Sequence, residues 1–236
     1  MPRTRPATAA KVPAVTIRLG PITLTVQVTF LVLVAVLGLP LWTRPGLLVA
    51  WVLVATVAIV GHELGHAAAL VRVGSRPSVR LGVLGGATTG AAPDDRARLL
   101  VSVAGPAAGL ALGIPVLVAR DLLPPGSDAR ALAGLALWAT VGWSLLNLLP
   151  VLPLDGGRAA TAALSLLAGR DVEVLVGAAS VVLGSAVAVI TASHGFLGLS
   201  AASIAIAAVN AVAVAPAPAR RPRASAHPAR ATHLVG

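Results

Sequence analysis

Long apolar runs separated by short polar or Gly/Pro-rich breaks set the pattern of this chain. About 20 consecutive apolar residues cross a bilayer as a helix. By that measure the chain reads as six spans, over residues 26–42, 47–71, 97–119, 131–149, 174–192 and 196–214. The first is only just long enough. Arg44-Pro45-Gly46 forms the turn that separates it from the second. Two stretches follow a different period. Around Gly20-Pro21, Ile22, Leu24 and Val26 interleave with Thr23 and Thr25, which predicts a short strand or hairpin at the membrane surface. Between residues 75 and 93, Val79, Leu81, Val83 and the Gly85-Gly86 pair predict a second short hairpin. On pattern alone it reads as a surface connector. Its functional alternative is an edge strand able to pair with an extended peptide.

The predicted fold class is therefore an all-α polytopic membrane protein, of about six transmembrane helices with a short membrane-associated β hairpin or sheet. Residues 14–215 form one membrane unit, between a basic tail over 1–13 and a second over 216–236, both expected to be disordered.

Composition agrees. Apolar residues make up 57% of the 236 and charged residues 11%, with a mean hydropathy of +0.91, too little polar surface to cover a soluble globule. The net charge of +10 does not imply nucleic acid, because the basic residues flank the apolar runs as topology signals do. Of the 18 Lys and Arg residues, fifteen fall before the first span, after the sixth, and in the loops after the second and fourth spans. The positive-inside rule then puts both termini in the cytoplasm of a multi-pass protein of the cell membrane. The preference for Arg, with one Lys, suggests a GC-rich bacterial source. No cysteine is present, so any zinc site must use nitrogen and oxygen ligands.

Candidate chemistry lies inside the second run. Gly61-His62-Glu63-Leu64-Gly65-His66 reads H-E-x-x-H, and its two histidines share one helical face. They can bind one zinc ion, with Glu63 beside them as general base. Ionisable groups at membrane depth are costly and point to function. A catalytic zinc usually has three protein ligands and an open position. His194, His227 and His233 lie in an outer loop or in the tail, and Asp94, Asp95, Asp121, Asp128, Asp171 and Glu173 lie in interfacial loops. Asp155 follows the fourth span on the side that His66 faces, and is the best third ligand. Asn147 stands before Pro150 and Pro153, which prevent a regular helix there. Its amide could hydrogen-bond a substrate carbonyl or a developing oxyanion. Taken singly, Asp155 also suits a helix N-cap or turn, and Asn147 a helix–helix hydrogen bond. Gly105, Gly109 and Gly113 suit close helix packing.

Together, G-H-E-L-G-H and the later N-L-L-P-V-L-P-L-D-G-G resemble the site-2 protease family of intramembrane zinc metalloproteases. Asn147, Pro150, Leu154, Asp155, Gly156 and Gly157 match its second motif, N-x-x-P-x-x-x-L-D-G-G. The resemblance covers residues 19–167 and is to compact members, without a PDZ-like or regulatory domain. It implies that His62, His66 and Asp155 hold zinc, that Glu63 is the catalytic base, and that Asn147 positions substrate. It also makes the 79–86 hairpin similar to the family's membrane-embedded β segment, favouring the edge-strand role. Two positions depart: Gly109 stands where many members have asparagine, and Gln27 where many have histidine.

The expected function is hydrolysis of peptide bonds within or near the transmembrane segment of a single-span membrane protein. The expected partners are that substrate and the lipid bilayer, with no nucleic acid. The rivals are a divalent-metal transporter and a catalytically silent membrane binding protein. A further zinc protease type would use Glu173 as its third ligand.

Overall fold

A computed structural model describes residues 12–194 and 197–214. The chain outside them includes most of the basic N-tail, all of residues 216–236, and His227 and His233 with them.

The first hairpin is β1 (Ala14–Leu19) and β2 (Ile22–Gln27), turning at Gly20, whose φ of 60° costs a glycine nothing. The second is β3 (Ser78–Gly82) and β4 (Gly85–Thr89). The two join into one sheet of order β1-β2-β3-β4, with β2 and β3 parallel. Parallel strands need a long crossover. Here it is α1 (Val28–Leu37) and α2 (Pro45–Arg72). One face of the sheet, carrying Leu24, Val79 and Leu81, packs on Phe30 and Val34 of α1 and on Trp51, Ala55 and Ala58 of α2. The indole of Trp51 donates to the Val34 carbonyl at 2.9 Å.

Among the described residues, four helical segments are long and apolar enough to cross a membrane: Pro45–Arg72, Asp95–Arg120, Asp128–Asn147 and Glu173–Ser193. They coincide with the second to fifth expected spans. At 28 residues, α2 rises about 42 Å and exceeds the hydrocarbon thickness. α3 is Asp95–Arg120. α4 (Asp128–Leu137) continues through a wider turn at Trp138–Gly142 into α5 (Trp143–Asn147). α7 is Glu173–Ser193 and α8 is Leu197–Val214. Val49, Leu53 and Val57 on α2, like Val182 and Val189 on α7, are largely exposed, as side chains that face acyl chains are.

The expected first span is different. Its opening residues, Val26 and Gln27, belong to β2, and α1 has only 10 residues. That is a rise of about 15 Å, half of a bilayer core. Gly38 and Pro40 end the helix and lead into a 3-10 turn at Leu39–Leu41. Among the described residues, four of the six expected spans are thus long enough to cross, and α1 and the Ser203–Val212 part of α8 are shorter apolar helices. Between the fourth and fifth of the expected spans runs a regular helix, α6 (Asp155–Ala168).

Candidate metal centre

α2 carries His62 and His66 on one face, with their Nε2 atoms 3.3 Å apart. Oδ2 of Asp155 lies 3.0 Å from the first and 3.1 Å from the second. All three residues are buried, and their ligand atoms lie within 4.8 Å of one another. Three ligands at 2.0–2.1 Å around a tetrahedral ion sit about 3.3 Å apart. The group therefore suits one such ion. Among the described residues it is the one cluster of three metal-binding side chains. His66 Nδ1 donates to the Val101 carbonyl at 2.7 Å, which fixes the tautomer that leaves Nε2 free for a metal. His62 Nδ1 is buried without a partner.

Glycines bring the pieces this close. A Cβ on Gly65 would lie 2.5 Å from the Ala104 carbonyl of α3, and one on Gly105 would lie 2.2 Å from His66 Nε2. The imidazole thus occupies the space of a missing side chain. The next glycines along that face of α3 serve packing, as expected: Gly109 abuts Ser144 and Gly113 abuts Val141.

Asp155 is the first residue of α6, and its N-cap is Leu154. The capping role is thus not the one Asp155 plays. Gly156 and Gly157 let the loop of residues 148–154 fold over the start of α6, since a Cβ on either would lie within 2.4 Å of that loop's backbone. The loop is also held from behind. Leu152 N–H donates to Ser180 Oγ of α7 at 2.9 Å, and Asn210 Nδ2 of α8 donates to the Leu152 carbonyl.

A cavity of about 490 Å³ opens at this cluster. Glu63 and Asn147 line it, together with residues 86–89 of β4. The Asn147 amide donates to the Trp143 carbonyl at 2.9 Å, which leaves its second N–H and its oxygen uncommitted by that bond. Glu63 is buried, and Thr88 Oγ1 lies 2.7 Å from its Oε2. β4 pairs with β3 alone and is an edge strand, so the connector reading gives way to the edge-strand one.

The other candidates are elsewhere. Asp94 caps α3, Asp95, Asp121 and Asp128 pair with arginines, and Asp171 accepts from the Glu173 N–H. His194 ends α7 and is exposed. Glu173 lines the cavity but is not in the ligand cluster. Both departures from the family motif are packed against neighbours. A Cβ on Gly82 would meet Gln27 Oε1 at 2.6 Å, and one on Gly109 would meet Ser144 Oγ at 2.1 Å, so no side chain fits at 109 without rearrangement. Sequence reasoning missed Thr88, Val101, Ser180 and the use made of Asn210.

No family model matches the chain. It is 38% identical over 128 residues to Rip3 of Mycobacterium tuberculosis, provisionally named a zinc metalloprotease, across 52% of this chain and 33% of that protein. It is 33% identical over 116 residues to sll0528 of Synechocystis, named in the same way, across 48% of this chain and 30% of that one. The matches thus span about a third of the length of each relative. Among solved structures, the site-2 protease from Methanocaldococcus jannaschii superposes with a TM-score of 0.59 at 21% identity, covering 89% of this chain and 99% of that one. The fold of this chain is that of the site-2 protease, in agreement with the resemblance of its two motifs.

Proposed function

We propose that this chain is an intramembrane zinc metalloprotease of the site-2 protease kind, which hydrolyses peptide bonds within or near the transmembrane segment of a single-span membrane protein. The convergence of His62, His66 and Asp155 with Glu63, in one cavity among apolar helices, carries the proposal. The zinc metalloprotease names of the relatives support it.

His62, His66 and Asp155 hold the ion. Zinc, when bound, supplies Lewis acidity toward a carbonyl and lowers the pKa of water to about 7. Glu63 takes a proton from the attacking water on a carboxylate oxygen and later delivers it to the leaving amine. Asn147 lines the same cavity, and its amide stabilises the substrate carbonyl. A substrate helix hides its carbonyls in hydrogen bonds and must unwind before attack. The free edge of β4 would hold the unwound stretch extended. The membrane unit of residues 14–215 carries the activity. In a bacterial cell membrane with both termini cytoplasmic, an arrangement in which α1 and α8 cross together with the four long helices, the site opens toward the cytoplasmic side.

The test is a cleavage assay on a single-span model substrate with the purified protein in lipid, alongside metal analysis. About one zinc per chain, cleavage by the wild type, and none by Glu63→Gln with zinc retained are expected. Zinc flux in proteoliposomes without cleavage would favour the transporter and overturn the assignment.

A further inference from the structure

Helix α2 fixes the backbone of Glu63, but not its carboxylate, which swings about the side-chain torsions. What fixes the carboxylate comes from β4. Thr88 Oγ1 lies 2.7 Å from Glu63 Oε2 and 3.1 Å from the Glu63 main-chain carbonyl. On the other side, a Cβ on Gly86 would lie 2.5 Å from Oε1, 2.7 Å from Cγ and 2.8 Å from Cδ. Residues 86 and 88 are two apart on one strand and share a face. The alternate residues, Ala87 and Thr89, are exposed. Two positions of one strand therefore enclose a single carboxylate: a hydroxyl donor on one oxygen, and an absent side chain against the other.

We infer that β4 sets the position of the base, with Thr88 as the positioning residue and Gly86 supplying the room that Glu63 needs. This rests on the protease reading given above. Glu63 is buried. In a buried setting its oxygen gains from a fixed donor, and a hydrogen bond to a charged group is among the stronger ones. Misplacement of a catalytic group by about 1 Å costs on the order of a hundredfold in rate. Substrate contact is separable from this role. The free edge of β4 offers main-chain groups to a substrate strand, whereas Thr88 turns its side chain to Glu63. Loss of the hydroxyl should therefore act on kcat and spare KM.

The experiment uses the full chain in lipid with the single-span substrate, and compares Thr88→Val, Thr88→Ser and Gly86→Ala. Valine keeps the shape of threonine and removes the donor. For Thr88→Val, kcat is expected to fall about 10- to 100-fold, with KM and zinc content unchanged. Thr88→Ser should restore kcat to within about threefold, and Gly86→Ala should lose kcat with zinc retained. Wild-type kcat in Thr88→Val, equal losses in the valine and serine variants, or loss of zinc would each overturn the assignment. So would a change in KM alone.

A second readout does not depend on turnover. Thr88→Val should lower the Tm by about 3 °C or more in the wild-type background and by about nothing in a Glu63→Ala background. Equal shifts in both backgrounds would show that the hydroxyl does not act through Glu63. If the wild type fails to cleave, this cycle still judges the contact. If it cleaves and Glu63→Gln does not, a silent Thr88→Val sinks the positioning role alone.

Discussion

Two parts of the molecule meet at the metal centre and are built in opposite ways. The α2–α3–α6 side is joined through backbones. Gly61, Gly65, Gly105, Gly156 and Gly157 each stand where a Cβ would come within 2.5 Å of a neighbouring atom. The α7–α8 pair is joined through side chains. These helices pack mainly on each other, and a Cβ on Gly184 would stand 3.2 Å from Ala207 of α8, close but with more room than at those five glycines. They reach the site through two polar contacts to the backbone of Leu152. A ligand set needs positions fixed to a fraction of an ångström, and close backbone contact provides that. A supporting helix pair tolerates more freedom, because one good hydrogen bond to a loop holds it in register.

This contrast can be broken experimentally. The largest effect belongs to the glycine side. Gly105→Ala places a methyl group against the His66 ring and should weaken zinc binding about 10- to 100-fold, as read by competition with a chelator. Unchanged affinity would mean that α3 yields more readily than its packing implies. Next comes the side-chain side. Asn210→Leu leaves the Leu152 carbonyl without its donor and should cost about three- to tenfold in kcat with zinc retained, in line with the modest worth of hydrogen bonds between membrane helices. A loss as large as that in Gly105→Ala would erase the distinction. The smallest effect is remote from both. Arg44 pairs with Asp128 between the exposed starts of α2 and α4, so Arg44→Ala should move Tm by no more than about 2 °C and leave cleavage unchanged.

Much of the site was legible because its signals are local. His62 and His66 are four apart on a helix, and that spacing alone puts two imidazoles together. Asp155 emerged because the other acidic candidates for a third ligand flank the apolar runs, where Asp94 caps α3 and Asp95, Asp121 and Asp128 pair with arginines. The glycines of both motifs also announced close contact. Non-local arrangements were hidden. The parallel pairing of β2 with β3 crosses two helices, and nothing in either strand names its partner. Thr88 looks like any threonine of a short strand until β4 is laid beside α2. The donor to Leu152 was visible only as an asparagine in an apolar run. The first span was misread for a simple reason. Hydropathy sums residues 26–42 without seeing that two belong to a strand and that Gly38 and Pro40 stop the helix. The second to fifth spans were therefore readable as crossing helices, and the first was read as longer than the helix it contains.

The separation of the ligands along the chain has a consequence for biogenesis. His62 and Asp155 are 93 residues apart, and α3, α4 and α5 lie between them. His66 also needs α3 beside it, for the Val101 carbonyl and for the gap at Gly105. A nascent chain inserted only as far as α2 therefore offers two unsupported imidazoles and no third donor. Capture of the ion becomes a late event, possible once α6 has docked, and an immature chain is kept from holding a competent centre before its walls exist.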